Sequence, residues 1–112
     1  MALLYTITEG WTKPLGPFTL SINGAALNLT GFTVNLKLRP LVSSTFSDTA
    51  GDVTVLPDQF GTQKGQVMFK PDVEDFKASK GEYAVHWELT DANGDVAFWP
   101  NGDPDTIKVV KP

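Results

Sequence analysis

His86 and Glu88 are the residues in this chain best suited to acid–base chemistry, an imidazole that titrates near neutral pH with a carboxylate two positions on. On a strand they share one face, roughly 7 Å apart along the backbone. Little else could support catalysis: the sequence has one His, no Cys, and carboxylates that fall in no recognised motif. The pair therefore reads as a solvated couple on a sheet surface, and the protein as a non-enzyme. Asp91, Asn93 and Asp95, with Asp103 and Asp105 further on, carry the oxygen donors that calcium takes in loops. An EF-hand requires Gly at its sixth loop position and a bidentate Glu at its twelfth. Counted from Asp91, Gly94 falls too early and Gly102 stands where the Glu is needed. Turn chemistry explains both clusters, and neither metal nor cofactor is expected.

Contact chemistry is better represented. Phe98 and Trp99, one on each face of an alternating strand, lead into the Pro-bounded stretch Pro100-Asn101-Gly102-Asp103-Pro104. A rigid Trp offers large apolar area at little entropic cost, which protein interfaces and sugar-stacking platforms both exploit. Trp99, Phe98, Asn101 and Asp103, together with Trp11 in the Gly/Pro-rich segment 10–17, are the candidate interaction residues. The alternatives are rings that merely cap the end of a domain, or a carbohydrate site in which Asn101, Asp103 or Asp105 bonds the hydroxyls of a sugar stacked on Trp99 or Trp11.

What positions these residues follows from composition and periodicity. A chain of 112 residues, 41% hydrophobic, supports one core, so residues 1–112 are expected to form a single domain. Thirteen acidic residues against nine basic give a net charge of −4, which disfavours a nucleic-acid partner. No apolar run approaches the ~20 residues of a membrane span, and the N-terminus lacks the basic and apolar segments of a signal peptide. With no cysteine, the fold must hold by burial alone, as is usual in a reducing cytosol.

Gly and Pro punctuate the sequence at short intervals, and the runs between them are rich in Thr and Val, whose stiff branching suits a pleated backbone. In 32–39 apolar and polar residues alternate without error, placing Phe32, Val34, Leu36 and Leu38 on a core face until Pro40 ends the strand. In 81–90 Tyr83, Val85, Trp87 and Leu89 point inward, and Glu82, Ala84, His86 and Glu88 are expected to meet solvent. Weaker strands are expected at 3–8, 18–22, 53–56, 66–70, 96–99 and 106–110. Asn23-Gly24 and the Asp91–Asp95 run supply hairpin turns, the second pairing 81–90 with 96–99. Residues 71–81, with Asp near the start, Lys at the end and a terminal Gly, predict one to two helical turns pinned by Val73 and Phe76. About seven to eight strands with one short helix match an all-β, immunoglobulin-like antiparallel sandwich, and Tyr83, two before Val85, occupies the place of a tyrosine corner.

The succession Phe18-Thr19-Leu20-Ser21-Ile22-Asn23-Gly24, Leu29-Thr30-Gly31-Phe32-Thr33-Val34, Leu36-Lys37-Leu38-Arg39 and Gly81-Glu82-Tyr83 leading to Asp91 through Gly94 resembles the N-terminal immunoglobulin-like domain of bacteriophage baseplate upper proteins, over residues 15–110. The resemblance implies a tailed-phage virion component of the tail, baseplate, neck or capsid surface, assembled in the bacterial cytoplasm. Such a protein works by contact with other virion proteins or with copies of itself, and the family offers no catalytic residues to carry over. The alternative reading is a module that recognises host or surface polysaccharide.

Overall fold

The computed structural model describes residues 3–22, 25–99 and 105–112. Among them run eleven strands: β1 (Leu3–Thr8), β2 (Leu15–Thr19), β3 (Ser21–Ile22), β4 (Ala25–Ala26), β5 (Thr33–Pro40), β6 (Ser47–Asp48), β7 (Asp52–Val55), β8 (Gln66–Lys70), β9 (Glu82–Thr90), β10 (Val96–Trp99) and β11 (Asp105–Val110). The two segments of unbroken alternation form the centre. β5 and β9 pair antiparallel from Thr33↔Thr90 to Pro40↔Tyr83. Around them the larger sheet takes the order β1-β11-β9-β5-β6, with β10 continuing along the edge of β9 that β11 begins. The facing sheet is β2-β8-β7, and β3 and β4 form a small ribbon beside it. This connectivity, with a hairpin in one sheet followed by a crossing to the other, is that of an immunoglobulin-like sandwich.

Alternate side chains from both sheets fill the space between the layers. Leu36, Val85, Trp87 and Ile107 meet Val67 and Phe69 with at most 2% exposure each. Phe18 on β2 lies against Trp87, ring centroids 5.1 Å apart, and Tyr5 approaches Phe18 edge-on at 5.9 Å.

The structure corrects the expected picture at four points. The sandwich is mixed, because β1 runs parallel to β11. Neighbours far apart in sequence need no tight hairpin, so sterics leave their direction free. The strands outnumber the expected seven to eight, because Leu20 interrupts what was read as one strand and two-residue strands form at β4 and β6. Ala84, expected in solvent, is fully buried. Its methyl is recessed between the longer side chains of Arg39 and Thr106, which lie opposite it on β5 and β11. The helix of 71–81 is replaced by a turn at 73–75 and one 3-10 turn at Ala78–Lys80, leaving Val73 half exposed. The acids that would favour a helix N-terminus bond elsewhere. Asp75 accepts the backbone N–H groups of Ala50, Gly51 and Asp72 at 2.6, 2.9 and 2.8 Å, and Asp72 accepts that of Glu74 at 3.1 Å. Gly51 permits this, since a Cβ there would collide with the Lys70 carbonyl and the Asp75 carboxylate.

Phe76 is nevertheless buried as expected, edge-on to Phe69 and Tyr83. The hydroxyl oxygen of Tyr83 accepts the Lys77 N–H at 3.0 Å, which completes a tyrosine corner at the crossing between sheets. Tyr83→Phe keeps the ring and orphans that donor. It is expected to lower the unfolding free energy by about 1 kcal/mol, read from the urea midpoint at unchanged slope.

The 91–95 turn forms as the sequence implies. Asp91 Oδ1 accepts the N–H groups of Asn93 and Asp95 at 2.8 and 3.0 Å, and Gly94 takes φ +85°, a region L side chains rarely adopt. The strands flanking Asn23-Gly24 pair with Ile22 opposite Ala25, while the turn residues themselves lie outside the described set.

Candidate functional site

Strand alternation sends Lys37 and Arg39 of β5, His86 and Glu88 of β9, and Val96 and Phe98 of β10 to the outer face of the larger sheet. Phe46, from the loop before β6, stacks on His86 with centroids 4.7 Å apart. His86 in turn stacks on Phe98 at 5.6 Å, so the imidazole is held between two phenyl rings. The Arg39 guanidinium carbon lies 5.3 Å from the Phe46 centroid and extends the row, while its Nη1 donates to the Ser43 carbonyl at 2.7 Å. Phe98 remains 49% exposed.

Charge frames this aromatic row. Lys37 Nζ lies 3.0 Å from Asp48 and 3.6 Å from Glu88. The hydrogen bond that the Lys37 ammonium donates to Asp48 holds it above the ordinary lysine range, with Glu88 adding to it against a smaller desolvation cost, so the group stays charged at neutral pH. Glu88 is thus directed to Lys37, and His86 is fixed by its two rings. The two residues singled out for acid–base work are engaged with different partners. What the face offers is a fixed row of rings with paired charges at its side, around a hollow of about 290 Å³. Exposed aromatic area on a rigid sheet is the material of protein contact.

Of the expected interaction residues, Phe98 belongs to this face. Trp99, opposite Trp87 in the β10–β9 register, points inward and is half buried against the core. Trp11 is also packed on the core, near the end of β1, and its indole N–H is buried without a hydrogen-bond partner among the described residues. The structure does not bring the two tryptophans together. Asn101 and Asp103 lie outside the described residues. Sequence reasoning missed Phe46, which sits in a Ser/Thr-rich loop without periodicity. It also passed over Lys37 and Arg39, whose outward positions in an alternating strand were the one available signal.

Further clefts open at the edges of the sandwich. An apolar groove of about 280 Å³ separates β10 from the β3–β4 ribbon, lined by Leu20, Leu27, Phe32, Leu89, Ala97 and Trp99 together with Asp91 and Asp95. Between β5 and β7 lies a larger, polar one of about 680 Å³ bordered by Lys37, Asp48, Asp52 and Glu88. Among the described residues no group of three or more His, Asp or Glu is placed to hold a metal ion. Neither a protein-family model nor a curated protein matches this chain.

Proposed function

We propose that this protein is a non-enzymatic contact module of a tailed-phage virion, seated in the tail, baseplate, neck or capsid surface and assembled in the bacterial cytoplasm. The observation that carries the contact role is the Phe46–His86–Phe98 row on the outer face of the larger sheet, with Arg39 at one end and the Lys37–Asp48–Glu88 charges beside it. Rings already held in place lose little freedom on docking, and the flanking charges select orientation. The assignment to a virion rests on the sequence resemblance to baseplate upper proteins.

Mass spectrometry of purified particles tests the reading, and absence of the protein from them would end it. Phe98→Ala is expected to weaken particle association about tenfold or more. Because the ring is half exposed, the urea midpoint should barely move. Unchanged association would remove this face from the contact. Tryptophan emission titrated with host polysaccharide separates the rival reading: a saturable shift at millimolar sugar would make the protein a carbohydrate-binding module.

A further inference from the structure

The Asp91 N–H donates to the Asp95 carbonyl at 3.0 Å, so the main chain of Asp95, and of Ala97 and Trp99 beyond it, turns toward β9. The N–H and C=O groups of Val96 and Phe98 therefore turn the other way. Among the described residues no strand, loop or side chain bonds to them there. Sheet edges are normally blunted by a lysine, a proline or a bulge. The four residues of β10 carry none of these: their register with β9 is unbroken, and Val96 and Phe98 are about half exposed.

The same strand borders the apolar groove of about 280 Å³. A cavity of about 150 Å³ suffices to take up benzene, so the groove admits one large apolar side chain. Among the described residues its charged lining is acidic throughout, Asp91 and Asp95 without a cation. Asp91 Oδ1 is occupied by the turn, whereas the Asp95 carboxylate takes no ion pair or hydrogen bond among the described residues. Unpaired main chain, apolar hollow and uncompensated carboxylate are all met by one kind of occupant, an extended segment. Its main chain continues the sheet on Val96 and Phe98. Residues two apart on a strand share a side about 7 Å from each other, which is also the step from Ala97 to Asp95. An apolar side chain in the groove and a basic one two positions away therefore satisfy hollow and carboxylate together. The net charge of −4 disfavours a second copy of this chain in that place.

We propose that β10 and its groove receive an extended segment of another protein, in which an apolar residue and a lysine or arginine stand two positions apart. This surface is separate from the Phe46–His86–Phe98 row, and the proposal is independent of the virion reading. The probes are blocked threonine/serine peptides that carry one Leu or Phe and one Lys two positions from it, in either order. Titrated into the isotope-labelled full chain, at least one should shift the Val96 and Phe98 amide resonances saturably at submillimolar concentration and slow their hydrogen exchange. Replacing the peptide's Lys by Glu should weaken binding roughly fivefold or more, the loss for reversing one exposed charge pair. Asp95→Lys in the protein should invert that preference, with the urea midpoint confirming that the variant folds. N-methylating the peptide where it faces the edge should weaken binding roughly tenfold or more, because the ladder bonds are lost. No saturable shift of the two amides with any peptide, binding indifferent to the Lys-to-Glu change, or a methylated peptide that binds like its parent would each overturn the proposal. So would the same amides shifting when the protein alone is concentrated, which would make a second copy the occupant.

Discussion

Trp87→Ala is expected to lower the unfolding free energy by about 3–5 kcal/mol, the usual cost of emptying an aromatic site in a core. Trp87 is 1% exposed, sits on the central strand β9 and packs on Phe18 across the two sheets. Its removal takes away contacts from both layers at once, and sheets held by their own hydrogen bonds cannot collapse far into the void. Domains of this size have about 5–15 kcal/mol in all, so the loss removes most of the margin of a domain at the lower end of that range. Urea denaturation followed by far-UV circular dichroism measures the effect, and a loss below about 1 kcal/mol would contradict the placement of this side chain in the core.

Gln59→Leu should cost about 2–5 kcal/mol, because the leucine orphans the Leu29 and Gly65 N–H groups and frees the Leu56 and Gln63 carbonyls inside the turn between β7 and β8. Gln59→Glu gives the sharper test, since it changes one atom. The new carboxylate would face two carbonyl oxygens in place of an amide that donated to them, so its ionised form is disfavoured in the folded state and its folded pKa lies above the unfolded value of about 4.3. The folded protein then binds the proton more tightly than the unfolded chain. Stability relative to wild type is greatest below that unfolded pKa and falls as pH rises through the folded one. Urea midpoints measured from acid to neutral pH should show this slope, and a pH-independent difference would mean that the amide nitrogen donates no bond.

How much of this architecture could be read from the residues depended on whether a single physical signal dominated. The alternation in 32–39 and 81–90 located the central strand pair and the inward set Val34, Leu36, Leu38, Val85, Trp87 and Leu89, because a period of two has one meaning when one face is buried. Tyr83 was placed at its corner by spacing alone. The 71–81 segment failed because capping signals are local, whereas Asp75 bonds to Ala50 and Gly51, a partner more than twenty residues away that no window on the sequence contains. The alternating strand places Phe98 on the outer face, but its neighbours in the stack come from separate elements, and Phe46 has no pattern of its own. Gln59 looked like one more polar loop residue. Its role depends on Leu29, thirty positions earlier, and so was invisible before the fold was known.

The last strand of the larger sheet has a consequence for biosynthesis. β11 lies between β1 and β9, pairing in parallel with the first and antiparallel with the second. Until residues 105–110 leave the ribosome, β1 has no partner in that sheet and the first half of β9 has one bare side. The sheet is therefore expected to close only once β11 is available, by long-range pairing that folds slowly, and a nascent chain halted before Asp105 would present two sticky borders to chaperones.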